Sequence, residues 1–334
     1  MIILTEEDLR RVLPMSDVIR VVEEGFLAIS RGEALTLERL RVDAPWASGV
    51  MLEMPGSLPP SANSGSGEPL EGVLGTKLVT VFPNNSKMGL ATVQAFYILL
   101  NGATGVPAAI MEGRFITAVR TAATSAVATK YMASKGPMQL AVIGAGVEGA
   151  FHIEAMREVC EITRVLIASR SRDRAEALAQ DTRTRLGLDS ETTRAAEAAS
   201  AANLICTCTT SPTPLFDGRT IRPGTHINAI GAFAPDTREL DTETIVRSRV
   251  VIDAQSAAGR EAGELLIPIA EGVITAAHVK AELADVVSGK VPGRTALEEI
   301  TVFKSCGLAV EDLVTARLAY QNALSQQVGA RVEL

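Results

Sequence analysis

The spacing of apolar positions changes character about two-fifths of the way along the chain. In residues 5–31, Val18, Val22 and Phe26 recur at helical spacing, with Thr5 and Ser16 as candidate N-caps and Gly32 as the stop. Residues 36–54 read as strand interrupted by turns, and residues 73–82 and 91–100 read as strand, with turn signals at Asn101-Gly102 and Thr104-Gly105. Between them, residues 55–72 are rich in Pro, Gly and Ser and read as a mobile surface loop, either a lid or slack. Residues 115–134 read as a long helix of small residues, broken by Lys135-Gly136-Pro137.

From there on, short apolar runs alternate with helices. The runs are residues 139–143, 164–169, 203–209, 226–231 and 249–254; helices are expected over 150–159 and 172–187. Apolar strands separated by helices predict a parallel sheet covered on both faces. Residues 308–330 return to helix, leave that rhythm, and are expected to pack back on the N-terminal half.

The glycines between the first of these strands and its helix carry the most specific chemistry. Gly144-Ala145-Gly146-Val147-Glu148-Gly149 fits G-x-G-x-x-G in a strand–turn–helix context. Gly144 allows the tight turn, Gly146 lets backbone approach a pyrophosphate, and Gly149 lets helix and strand pack closely. The free N–H groups and positive dipole end of the helix then face the phosphates, with Val147 and Glu148 in its first turn. A dinucleotide site follows. At the end of the second strand, where NAD sites carry an acid for the ribose hydroxyls, this chain has Ser169 and Arg170, with Arg174 close behind. Hydroxyl and guanidinium groups suit a 2′-phosphate, so NADP(H) is expected over NAD(H), with Asp173 nearby leaving NAD(H) open.

Composition narrows the partners. The chain has 334 residues, enough for two domains, and a net charge of −7 with aromatics at 4%, which argues against a nucleic-acid surface. Four cysteines and three histidines show no metal-ligand spacing, so no metal is expected and the thiols read as reduced and cytoplasmic. Neither a signal peptide nor a membrane-spanning run is expected.

Four further stretches, in order along the chain, resemble the ornithine cyclodeaminase/μ-crystallin family: Gly75 to Asn84, Phe115 to Ala123, Ile227-Asn228-Ala229-Ile230-Gly231, and Val302 to Asp312. The resemblance implies an α/β protein in which a Rossmann-type doubly wound domain, residues 118–304, is inserted in an α+β substrate and dimerisation domain, residues 1–117 plus 305–334. It implies a homodimer, a small α-imino or α-amino acid substrate, and three cations that grip its carboxylate, falling on Arg41, Lys77 and Arg120. Lys77 in an apolar strand and Arg120 in a nearly charge-free helix start need partners if buried, so a purely structural ion pair is the competing reading. Lys77 and Arg120 are the expected catalytic pair, and Thr121, Asn84, Thr207, Thr209, Gly231 and Ser305 join the expected cofactor contacts.

One departure steers the reaction class. Where cyclodeaminases and the family's alanine dehydrogenases place an aspartate, two residues beyond Gly231, this chain has Phe233. A carboxylate can activate an amine and phenylalanine cannot. Together with Lys304, this favours the family's imine reductases, acting on Δ1-pyrroline-2-carboxylate or Δ1-piperideine-2-carboxylate to give proline or pipecolate, with Phe233 walling the pocket. The alternatives are an ornithine cyclodeaminase, an alanine-type dehydrogenase, a hydroxyproline dehydratase and a non-catalytic crystallin-like binder.

Overall fold

The computed structural model describes residues 1–60 and 70–333. The chain divides into two compact units, Met1–Arg120 with Leu308–Leu334, and Thr121–Gly307.

The first unit opens with strand β1 (Ile2–Leu4), helices α1 (Glu6–Val12) and α2 (Met15–Ser30), then strands β2 (Leu35–Thr36), β3 (Leu40–Ala44), β4 (Gly49–Leu58), β5 (Val73–Val81), β6 (Val93–Asn101) and β7 (Pro107–Glu112). Helix α3 (Gly113–Met132) carries the chain into the second unit. Thr5 caps α1 as expected: its hydroxyl accepts from the Asp8 N–H while Asp8 accepts from the Thr5 N–H. Ser16 is not a cap. The second helix starts one residue earlier, at Met15, with Pro14 supplying the extended turn and no side-chain cap. The expected loop is shorter than its composition suggests. Residues 55–58 complete β4 and Leu70 is buried, while residues 61–69, and with them the lid reading, lie outside the described residues.

The second unit contains β8 (Met138–Ile143), α4 (Val147–Val159), β9 (Ile162–Ala168), α5 (Arg172–Leu186), β10 (Ser190–Thr192), α6 (Ala195–Ala201), β11 (Leu204–Thr207), β12 (His226–Ala229), α7 (Thr242–Val246), β13 (Ser248–Ile252), α8 (Gln255–Glu261), α9 (Gly263–Ala270), β14 (Val279–Glu282), α10 (Leu283–Val287) and β15 (Ile300–Lys304). Helix α11 (Ala309–Gln326) and strand β16 (Ala330–Arg331) return to the first unit.

The first sheet runs β16-β1-β7-β6-β5-β4-β2, with β3 also on β4. Its long strands are antiparallel, and α11 packs on β4, β5 and β6 and against α2. Alternation along each strand sends Leu52, Met54, Val79, Tyr97 and Leu99 to the buried face. The second sheet runs β10-β9-β8-β11-β12-β15-β13-β14, and all its described pairings are parallel. This bears out the expected α/β class. Its strands are near-continuous apolar runs because helices cover both faces; Ile143, Ile205, Ile227, Val250 and Val302 share one buried cluster. The strand order reverses between β8 and β11, the place where such sheets open a crevice beyond the carboxyl ends of their strands.

Candidate functional site

Two cations buried in the first unit meet on one carboxylate. Lys77 lies on β5 directly opposite Met54 and Tyr97, on the face that α11 covers. Its Nζ donates to Asp312 Oδ1 at 2.9 Å and lies 2.8 Å from Oδ2. Arg120, from α3, donates through Nε to Asp312 Oδ1 at 3.0 Å and through a terminal nitrogen to Glu311 Oε2 at 2.6 Å. Glu311 and Asp312 stand in the first turn of α11, where the helix dipole favours anions. Lys77 is 2% exposed and Asp312 fully buried. Burial pushes the Lys77 ammonium down to about 8, with Asp312 opposing the shift and Arg120 adding to it. Burial alone would raise Asp312, but Arg120 and Lys77 outweigh it and hold the carboxyl below its usual range. The cluster is thus charge-balanced, two cations on two anions, and Lys77 is poised to exchange a proton just above neutral pH.

Arg41 does not join this cluster. It is on the exposed edge strand β3, its side chain 64% accessible, and it pairs with Asp43 at 2.8 Å. The second cation acting on Lys77, after Arg120, is Arg39, whose charge helps to lower the lysine further. Arg41 faces Leu52 within β3, whereas Arg39 lies just before β3, in the stretch between β2 and β3. Arg39, Glu311 and Asp312 were all missed from the sequence. The acids were legible by the reasoning that found Arg120, being adjacent charges at the start of a largely apolar helix; Arg39, in the stretch before β3, carries no such local signal.

The glycine turn fits a dinucleotide pyrophosphate. Gly144 holds φ +120°, and a Cβ there would run into the Cys208 carbonyl; a Cβ on Gly149 would run into the Gly144 carbonyl. Nothing lies within 4 Å of a Cβ placed on Gly146. Helix α4 begins inside the motif, at Val147 rather than at residue 150, with Gly146 as its N-cap and no side chain capping it. The first-turn N–H groups of Val147, Glu148 and Gly149 are therefore available for phosphate oxygens. Ser169, half-buried just past β9, accepts the Ser171 N–H, and Arg170 and Arg174 are exposed, with no acid at the strand end.

Past β11 and β12, the expected cofactor contacts are organised by an acid absent from the sequence reading. Glu239, fully buried, accepts from the Thr207 hydroxyl at 2.8 Å, the Thr209 N–H at 2.7 Å and hydroxyl at 2.6 Å, and the Gly231 N–H at 2.7 Å. Lys304 is buried against Glu264 at 3.3 Å and donates to the Ala232 carbonyl. Ser305 is buried, its N–H bonded to Ala229. Phe233 is 48% exposed. Thr121 is buried on α3, and Asn84, in the first unit, is exposed and accepts from Lys87 at 2.9 Å.

The sequence profile of the ornithine cyclodeaminase/mu-crystallin family matches residues 1–327. A Δ1-pyrroline-2-carboxylate reductase of Bacillus cereus (strain ZK / E33L) is 35% identical over 335 residues, covering 100% of both chains. The solved structure of Thermococcus litoralis Δ1-pyrroline-2-carboxylate reductase in complex with NADH and L-proline superposes with a TM-score of 0.93 at 40% identity, covering 99% of this chain and 100% of that one. An archaeal alanine dehydrogenase dimer with bound NAD gives a TM-score of 0.91 at 32% identity, covering 100% and 99%.

Proposed function

This chain belongs to the ornithine cyclodeaminase/μ-crystallin family, and from that premise we propose that it is an NAD(P)-dependent oxidoreductase that reduces the C=N bond of a small cyclic α-imino acid. The substrates are Δ1-pyrroline-2-carboxylate and its six-membered homologue, giving proline and pipecolate. The observation that carries the reading is the buried pair Lys77 and Arg120 on Asp312. Glu311 and Asp312 hold the pair, Arg39 acts on Lys77 as a further positive charge, and the positive field of the three cations favours a substrate carboxylate. Arg39 takes the carboxylate-binding role expected of Arg41.

When bound, the reduced nicotinamide supplies the hydride. The protein's part is to fix the carboxylate, and through it the imine carbon, since orientation contributes much of the rate. A cyclic iminium arrives protonated, so reduction needs no further proton; a neutral imine takes one from Lys77 Nζ, whose value of about 8 suits transfer near neutral pH. The residues fit a dinucleotide at Gly144, Gly146 and Gly149. With Ser169 and Arg170 at the β9 end and no acid there, NADPH is the preferred donor and NADH is accepted. Phe233 supplies no carboxylate to activate an amine, which disfavours ring closure of ornithine.

The working unit is a homodimer. Leu40, Val42, Met51, Leu74 and Phe96 are exposed on the sheet face opposite Lys77, an apolar surface that a second copy would cover. The four cysteines are free thiols, in keeping with a reducing compartment such as the cytoplasm.

The deciding experiment incubates purified protein with either imine and NADPH or NADH and follows nicotinamide absorbance. Oxidation with formation of the L-amino acid supports the proposal. No oxidation with either imine, together with ammonia release from ornithine, overturns it.

A further inference from the structure

We propose that Glu239 is a positioning residue that fixes the nicotinamide half of the cofactor site by tying the carboxyl ends of β11 and β12 together through Thr207, Thr209 and Gly231. The inference rests on the dinucleotide reading above and deepens it.

The two halves of a doubly wound sheet divide the cofactor between them. The glycine turn after β8 holds the pyrophosphate and the β9 end holds the adenosine ribose, so the other half of the molecule extends over β11 and β12, across the point where strand order reverses. The backbone there is not held by the strands themselves. Thr209 lies two residues past the end of β11, and Gly231 two past the end of β12. Four donors converge there on one carboxylate: Thr209 N–H and hydroxyl on Oε1, Thr207 hydroxyl and Gly231 N–H on Oε2. The segments approach so closely that a Cβ on Gly231 would run into the Thr209 carbonyl.

The acid is itself held from behind. Glu264 accepts the backbone N–H of Glu239 at 2.9 Å through one oxygen and faces Lys304 Nζ at 3.3 Å with the other. Lys304 donates to the carbonyl of Ala232, so the stretch from Gly231 to Ala232 is gripped by an acid on one side and a base on the other. Burial pushes the Glu239 carboxyl up, against the Thr209 hydroxyl and Lys304, which favour its charged form. Burial works against the Lys304 ammonium, but Glu264, Cys306 and Glu239 together outweigh it and raise its pKa.

This arrangement suits a carboxylate and no isostere. In Glu239→Gln, one oxygen becomes an NH2 group. The threonine hydroxyls can turn and accept from it, but the N–H of Thr209 or of Gly231 cannot. One buried backbone donor is then orphaned and pushed away, and the strand end it belongs to shifts.

The test compares two probes by calorimetry. NADH spans both halves of the site, whereas ADP-ribose lacks the nicotinamide. Glu239→Gln should weaken NADH binding about tenfold or more while leaving ADP-ribose within about twofold. Thr207→Val removes one donor to the same carboxylate and should shift the same ratio by a smaller factor, and it serves if Glu239→Gln fails to fold. Equal weakening of both probes would mark a general structural role and overturn the proposal, as would no change in either. If the unaltered protein binds neither probe, the dinucleotide reading fails and this inference with it.

Discussion

Replacing Asp312 by Asn removes the one carboxylate that Lys77 and Arg120 share. Arg120 keeps Glu311 at 2.6 Å, so Lys77 bears most of the loss. Each ion pair near 3 Å is worth roughly 5 kcal/mol before desolvation at an effective dielectric of about 20, but the net effect is smaller because Lys77 can escape by losing its proton. Burial has already brought its pKa from 10.5 to about 8. Without Asp312 it falls further, and at pH 7 the added penalty from Lys77 is on the order of 1 kcal/mol. The lost charged hydrogen bond from Arg120 adds about 1.5–3 kcal/mol. The variant should therefore be about 3–4 kcal/mol less stable at pH 7 by urea unfolding.

The sign of the pH dependence identifies the cause. Where the unfolded chain binds more protons than the folded one, stability rises with pH. For the unaltered protein the Lys77 contribution to that rise starts near pH 8; for the variant, which lacks the Asp312 charge that raises Lys77, it starts lower. The gap between them should narrow by on the order of 1 kcal/mol between pH 7 and pH 9. A gap under about 0.5 kcal/mol at pH 7, or one that stays constant to pH 9, would refute the assignment of Lys77 as a buried ammonium held charged by Asp312.

Three other outcomes follow from the same geometry. Arg39→Ala should raise KM for the imino acid roughly 10–100-fold, whereas Arg41→Ala, which breaks an exposed pair with Asp43, should change KM and stability little, by less than about 0.5 kcal/mol; steady-state kinetics on both variants separates the two arginines. Ser169→Asp should lower the ratio of kcat/KM for NADPH to that for NADH by about tenfold or more, because a fixed carboxylate at the β9 end repels a 2′-phosphate. Phe96→Glu should leave the monomer fold intact but shift the protein to half its mass in sedimentation, since the charge lands on the exposed sheet face; an unchanged mass would remove that face from the interface.

The dinucleotide unit was the most legible part of the sequence, because its signals are local. The glycine turn fixes backbone geometry within six residues, and strands covered on both faces betray themselves as uninterrupted apolar runs. Thr5 was equally plain, since its cap bond reaches only to Asp8. Strands β7 and β15 are not legible in the sequence, because runs of five or six mostly apolar residues carry no period that separates strand from helix. Ser16 misled for a related reason: a good capping residue one turn after α1 loses to Pro14, whose fixed φ already suits the entry to the helix.

What the sequence determined by itself was the set of chemical groups: a phosphate-binding turn, a lysine and an arginine in apolar surroundings, and a phenylalanine where an aspartate would change the reaction. What the tertiary structure alone decided was which of those groups meet. Arg39 and Arg41 are two residues apart and carry the same charge, yet Arg39 acts on Lys77 while Arg41, on the exposed strand β3, pairs with Asp43. Asp312 lies 235 residues from Lys77 along the chain, and Glu239 lies 32 from Thr207. Charges taken out of water must find partners wherever the fold supplies them, and no local pattern records a partner that distant.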